Sequence, residues 1–295
     1  MQAFGSKISL AGDWLVDRMI RLLIGLALML PYRFRGAVFG WCVAWVMAPL
    51  AGYRRRIRAN LALIFPQMPR AEVARMMRAV PANIGRTFIE IYSGDDFKSR
   101  VARAPLQGPG VAALQEAAAA KRPVILVTGH IGNYDAVRAA LIARGYPVGG
   151  LYKRMNNPFF NAHYVTAISR IGTPVFARGR NGMAEMLRFL KGGGMVGIVL
   201  DQYVKGGTPI RFLGHDAVTS LSPAEMALRY DALIVPVYGI RRADGDFELL
   251  VGAPVPHSDP LNMTKILTSD LEKQVLQHMD QWMWTHRRWK SGKHG

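Results

Sequence analysis

Six short apolar runs past Pro105 constrain the fold more than any other feature: Val124 to Thr128, Val148 to Tyr152, Pro174 to Ala177, Met195 to Leu200, Leu233 to Ile240 and Phe247 to Val251. Segments with helical spacing separate them, and strands alternating with helices are the signature of βαβ units. The expected fold is therefore α/β, a mostly parallel central sheet flanked by helices. Helix ends are legible between the runs. Asn133 to Ala143 closes on Arg144-Gly145 and Gly182 to Leu190 on Lys191-Gly192, each a basic last turn with a glycine stop. Ser222-Pro223-Ala224-Glu225 reads as a capping box, with Glu225 as its acidic arm. A last helix is expected from Thr264 to about Trp284, and helical text from Arg56 to Tyr92 is expected to be interrupted at Pro81. No repeat or low-complexity linker divides the chain.

Charge and hydropathy set the surroundings. The chain of 295 residues carries Lys+Arg 38 against Asp+Glu 20, a formal charge of +18, yet half of it is hydrophobic and only 20% charged. That excludes a disordered polycation and calls for an acidic partner: nucleic acid, anionic lipid or an acidic protein. Charge alone does not choose among them. Trp14 to Leu30 and Ala37 to Ala51 are apolar runs joined by Tyr32-Arg33-Phe34-Arg35. The second, at 1.5 Å per residue, reaches roughly 22 Å, short of a hydrocarbon core of about 30 Å. A helical hairpin dipped into one leaflet, or one tilted span, is expected; the rival reading is a pair of buried core helices. Arg54, Arg55, Arg56 and Arg58 follow, as a positive cytoplasmic flank would. The chain is thus divided into a membrane anchor over 1–55 and an α/β domain over 56–295 with a helical lead-in to 105. A single cysteine, Cys42, cannot form an internal disulfide, which fits a reducing compartment or the cytoplasmic side of a membrane.

Open α/β sheets bind ligands at the carboxyl ends of their strands, so polar residues just past each run are the candidates for chemistry. His130 follows the first run, and Asp135 follows five residues later across Gly132. Five positions on one continuous helix lie about 140° apart, but a turn at Gly132 lets the first helical turn swing a carboxylate back to the ring. A carboxylate on one ring nitrogen fixes the tautomer and supports a general base at the other. The bland alternatives are a loop histidine and an aspartate favoured by a helix N-terminus. Asp201, after the fourth run, reads as a ligand or as a turn residue. There is no GxSxG elbow, P-loop, HExxH or GxGxxG after a strand, which removes the usual signatures of serine hydrolases, P-loop enzymes, zinc proteases and Rossmann oxidoreductases. A base without a protein nucleophile points to attack by a substrate hydroxyl.

The order of motifs resembles the bacterial lipid A biosynthesis acyltransferase family, the late lauroyl/myristoyl transferases, within the wider group sharing HX4D/E. His130 to Asp135 has the HX4D spacing. Asn60-Leu61 with Phe65-Pro66, Leu151-Tyr152-Lys153 with Asn157-Pro158, and Trp284-Thr285-His286-Arg287-Arg288-Trp289-Lys290 resemble further family elements, so the likeness covers about residues 14 to 290. Asp135 stands where the family usually has Glu, Ile131 where it has an aromatic, and Lys153 where it has arginine, with Arg154 alongside; lysine lacks the bidentate fork.

The resemblance implies transfer of a fatty acyl group from an acyl carrier protein thioester to a hydroxyl of a lipid A precursor at the cytoplasmic face of the inner membrane. It implies His130 as base, Asp135 as its orienting carboxylate, and Lys153, Arg154, Arg178 and Asp201 as substrate-binding residues. No cofactor, metal or nucleic acid is implied; the partners are acyl carrier protein, the phosphorylated glycolipid and the membrane. His163, His215, His257 and His286 read as surface or structural residues. The rivals are a related acyltransferase for another glycolipid or lysophospholipid, and a non-catalytic basic protein in which His130 and Asp135 are only structural.

Overall fold

The computed structural model describes residues 2–290. Its strands are β1 (Leu106–Gln107), β2 (Val124–Thr128), β3 (Val148–Tyr152), β4 (Val175–Ala177), β5 (Met195–Val199), β6 (Thr208–Phe212), β7 (His215–Thr219), β8 (Leu233–Arg241) and β9 (Phe247–Val251). Seven of them make one sheet in the order β1-β9-β8-β2-β5-β3-β4, and β6 and β7 form a separate hairpin. All pairings in the large sheet are parallel except β8 with β9. All six expected strands are present, with bounds shifted by at most one residue. Two further elements were not expected. β1 has only two residues, too few to show a pattern, and the hairpin turns on Leu213-Gly214, where a leucine holds φ +48° in place of the usual turn residues.

Helices cover both faces. On one side α5 (Arg70–Tyr92), α6 (Asp95–Arg103), α7 (Val111–Ala119), α8 (Ala136–Ala143) and α9 (Pro158–Ile171) pack on Val124, Leu126 and Val235. On the other, α10 (Arg180–Lys191), α11 (Ser222–Arg229) and α12 (Pro260–Gln277) pack on Ile125, Val127 and Ile234. Alternate residues of β2 thus feed opposite cores, as a strand's period of two requires. A third apolar cluster joins Ile57, Met76, Phe212, Trp282 and Trp284 beyond the strand ends.

Three expectations are corrected. α5 runs through Pro81 without a break. The ring removes one helical bond at a cost of about 3 kcal/mol, but Met76, Val80 and Ile89 are fully buried on either side and hold the helix straight through. α12 stops at Gln277, not near Trp284, and a short 3-10 turn over Met279–Gln281 leads to the extended residue Trp282 and then a run of turns. There Trp282 pairs with Ile131, which a helix would forbid. Ser222 is the first residue of α11 and not its cap, and no side chain caps that helix, so the capping box does not form.

Ahead of the sheet lie α1 (Gln2–Leu28), α2 (Tyr32–Cys42), a π turn over Val43–Met47, α3 (Ala48–Leu50) and α4 (Tyr53–Ile64). α2 crosses α5 so closely that a Cβ on Gly85 would lie 2.9 Å from the Gly40 Cα. Phe39 and Val43 thereby enter the core that also holds Ile89. α1 faces inward with its polar side: Asp17 is completely buried and paired with Arg21 at 2.8 Å, while Leu22 is 64% exposed and Leu26 53%. Trp41, Trp45 and Leu50 extend this exposed apolar surface. Among the described residues no single helix is long and apolar enough to cross a membrane; Tyr32–Leu50 and Tyr53–Ile64 qualify only as a pair, bent by 86°.

Candidate active site

β2 and β5 are parallel neighbours in the register Val124↔Met195 through Thr128↔Val199, a constant offset of 71 residues. His130 and Asp201 each stand two residues past their strand and keep that offset, so the sheet itself brings them together. The His130 backbone N–H donates to Asp201 Oδ2 at 2.6 Å, and the ring Nδ1 lies 2.7 Å from Oδ1. The Trp282 indole N–H donates to Oδ2 at 2.9 Å. Burial raises the Asp201 carboxyl, but the His130 charge and hydrogen bonds outweigh it and hold the group well below the usual carboxylate range. An ionised Asp201 makes Nδ1 the donor, which leaves the Nε2 lone pair directed to the cavity.

That cavity has a volume of about 350 Å³, and its wall includes His130, Tyr134, Asp135, Lys153, Gln202 and His286. The Tyr134 and His286 rings meet the His130 ring edge-on at 5.2 and 5.0 Å. The Gln202 amide nitrogen lies 3.5 Å from Nε2 of both histidines. Burial, then the proximity of His130, pushes His286 down to about 4, so it is neutral at pH 7. A second cavity of about 380 Å³ shares Leu151, Tyr152, Lys153, Ile198 and Gln202 with the first and continues past Arg178 to Met183 and Met226.

Asp135 is not the carboxylate on His130. It sits one position before α8 and takes the Arg138 guanidinium on both oxygens, Nε at 2.5 Å and Nη2 at 2.9 Å. Three positions on one helix face put those two side chains together, and the turn needed to reach His130 is taken by Asn133, whose side chain accepts from the Asp135 N–H at 3.0 Å. Arg138 also donates to the Gly172 and Ile168 carbonyls, which ties α8 to α9. Lys153 reaches both cavities, whereas Arg154 borders neither and Arg178 only the second.

The loop carrying His130 is gripped from behind. Gly132, at φ +56°, passes so close to β8 that a Cβ would sit 2.1 Å from the Gly239 carbonyl oxygen, which admits glycine alone. Its own carbonyl accepts from Asn83 at 3.2 Å and Thr87 at 2.7 Å. Arg241 links Asn83 to Glu90, and Glu90 accepts from Asn133 at 2.9 Å. The Met283 N–H donates to the His130 carbonyl at 3.0 Å. From the C-terminal motif, Trp284 and His286 carbonyls accept from Asn60 at 2.7 and 2.8 Å, and buried Arg288 donates to Thr219 and Val218 beside Gln202.

His286, Gln202 and Trp282 were missed as site residues from sequence. Adjacency to Asp201 pointed to Gln202, and the Trp284 to Lys290 motif contained His286, but only the fold turns its ring into the cavity. Among the described residues no group of three His, Cys, Asp or Glu side chains could hold a metal ion.

The family model described as bacterial lipid A biosynthesis acyltransferase matches residues 2–291. A lipid A biosynthesis acyltransferase of Haemophilus influenzae is 24% identical over 274 residues, 90% of this chain and 84% of the relative. A lipid A biosynthesis lauroyltransferase of Escherichia coli is 23% identical over 246 residues, 81% of this chain and 79% of the relative. A second Haemophilus influenzae lipid A biosynthesis acyltransferase is 23% identical over 277 residues, 90% and 86% of the two chains.

Proposed function

The chain belongs to the bacterial lipid A biosynthesis acyltransferase family, and we propose that it moves a fatty acyl group from an acyl carrier protein thioester to a hydroxyl of a lipid A precursor. The observation that carries this reading is the His130–Asp201 pair, with Nε2 facing a cavity that opens into a second, largely apolar one. His130 Nε2 takes the proton of the acceptor hydroxyl as its oxygen attacks the thioester carbonyl. The C–S bond then breaks, and the departing thiolate takes the proton back from the imidazolium. Asp201 fixes the tautomer and supports the transient positive charge. Lys153, at the junction of the two cavities, stabilises the oxyanion or holds a substrate phosphate as a point charge. Arg178 offers a second cation at the adjoining cavity. Neutral His286 and Gln202 keep the space around Nε2 polar without competing for the proton.

Two features support the partners. A net charge of +18 suits both an acidic carrier protein and a phosphorylated glycolipid. The exposed apolar face of α1 and α2 suits the inner-membrane leaflet on the cytoplasmic side, where it lies without needing to span. The decisive experiment is mass spectrometry of products from membrane-reconstituted protein given carrier-protein thioesters of several lengths and a lipid A precursor. A hydroxyl-linked acyl addition that disappears in His130→Ala is expected. Addition that persists in the variant overturns the assignment of the base, and none by intact protein overturns the acceptor.

A further inference from the structure

A second polar cleft, of about 210 Å³, lies between the start of α2, the end of α5, α6 and the β8–β9 turn, and it shares no wall residue with the catalytic cavity. Six guanidinium groups line it: Arg33, Arg35, Arg86, Arg100, Arg241 and Arg242. Four have carboxylate partners. Arg35 pairs with Asp96 at 2.7 Å, Arg100 with Asp246 at 2.7 Å, Arg241 with Glu90, and Arg242 with Asp244 at 2.9 Å. Among the described residues Arg33 and Arg86 have no carboxylate within 4.0 Å, so the cleft holds two cations more than its acids neutralise.

Arg86 is built into place. Its stem lies across α2 over Gly36 and Gly40, where added Cβ atoms would meet its Cγ at 3.5 and 3.2 Å. A Cβ at Gly40 would press on that stem, whereas one at Gly36 would make only ordinary contact with it. Burial and then the nearby Arg241 cation both disfavour its charge there. Such an arrangement is repulsive until an anion enters, and it then supplies converging charge-assisted donors. The first turn of α2 lines the same cleft and carries no side-chain cap, and the positive end of its dipole favours an anion there. α2 also exposes Phe34, Val38 and Trp41, and the Arg33 guanidinium lies 4.7 Å from the Phe34 ring centroid.

We propose that this cleft is a binding site for a phosphate group, with Arg33 and Arg86 as its primary ligands and Arg241 behind them. The adjoining apolar flank of α2 suits a lipid phosphate, whose acyl chains would run along Phe34, Val38 and Trp41. The site stands apart from the acyl-transfer reading, since its occupancy involves neither His130 nor a thioester.

Its test is calorimetric titration of the full chain in neutral detergent, without acyl donor, using two probes: inorganic phosphate and soluble dihexanoyl phosphatidic acid. Saturable binding is expected, weakened at least tenfold by Arg86→Gln and further by the Arg33→Gln/Arg86→Gln pair, with Arg86→Lys intermediate and His130→Ala unchanged. Phosphatidic acid binding at least tenfold tighter than inorganic phosphate assigns a lipid source; equal affinity assigns free phosphate, and either outcome supports the site. Equal affinity of wild type and the paired variant overturns it, as does binding lost in His130→Ala but kept in the pair. Absence of saturable binding also overturns it. Neither arginine has an acid partner among the described residues, so an unchanged thermal midpoint in Arg33→Gln/Arg86→Gln checks that the fold survives.

Discussion

Asp201 and Asp135 border the same loop, and each is buried against a cationic or potentially cationic neighbour, yet the two corners of the cavity differ in what they leave uncommitted. At the Asp201 corner both oxygens are engaged by His130, but the imidazole keeps one nitrogen turned to the cavity. At the Asp135 corner the donors of Arg138 go to Asp135 and to two backbone carbonyls, and the pair closes on itself. A buried ion pair performs chemistry only where one partner retains an unsatisfied site; otherwise it fastens helices together.

The contrast can be broken in order of size. Asp201→Asn removes the tautomer-fixing charge, and kcat/KM for acyl transfer is expected to fall about 10³- to 10⁴-fold, as for other His–carboxylate pairs. A drop smaller than tenfold in steady-state assays would assign that role elsewhere. Asp135→Asn instead leaves the buried Arg138 without its acid, with an expected loss of about 3–5 kcal/mol of stability in denaturant titrations. Its surviving folded fraction should keep kcat within tenfold, and Asp135→Leu with Arg138→Met should recover most of the stability. If kcat collapses in that recovered double variant, Asp135 belongs to the reaction and the two corners are not different in kind.

A third expectation separates the corners by pH. His286, held at about 4 against an ordinary 6.5, stays neutral while the unfolded chain takes up a proton. Stability from this group is complete above pH 6.5 and declines as pH falls to 4, by at most about 3 kcal/mol from the size of the shift. The Asp201 contribution has a lower window: it is present above the ordinary carboxylate range and is lost only as pH falls through the depressed value. Denaturation midpoints of His286→Gln should flatten the upper window and leave the lower one. The smallest effect is expected for Trp282→Phe, which removes one hydrogen bond to a charged oxygen, worth about 1.5–3 kcal/mol. A fall in kcat of about tenfold with a pH profile displaced from wild type would show that the indole tunes Asp201; an unchanged profile would make it packing alone.

The sheet was legible because its strands are short, apolar and separated by clear helix stops such as Arg144-Gly145 and Lys191-Gly192. The partner of His130 was less so. Spacing along the chain favoured Asp135, since five residues is a near distance, whereas Asp201 is 71 residues away and becomes a neighbour only through the β2–β5 pairing. Strand order is a tertiary fact, and nothing local in either strand announces it. The same holds for His286, whose ring is aimed by contacts its carbonyl makes with Asn60. The inward-facing Asp17 shows the opposite case: in sequence it breaks the apolar run Trp14 to Leu30, and in the fold it marks the side of α1 that faces α9, where the Asp13 carbonyl accepts from Asn157 at 2.7 Å.

The grip of Gln281, Trp282 and Met283 on the His130 loop has a consequence for the life of the chain before it is finished. The parts that hold the base in position are separated from it by about 150 residues of sequence, so during synthesis the loop emerges long before its clamp, at a rate of about 5–20 residues per second. Contacts of such high sequence separation form late. A nascent chain or one cut short before Gln281 therefore carries the histidine and its aspartate without the frame that aims them, and the reactive geometry forms only once Gln281 to Met283 have emerged.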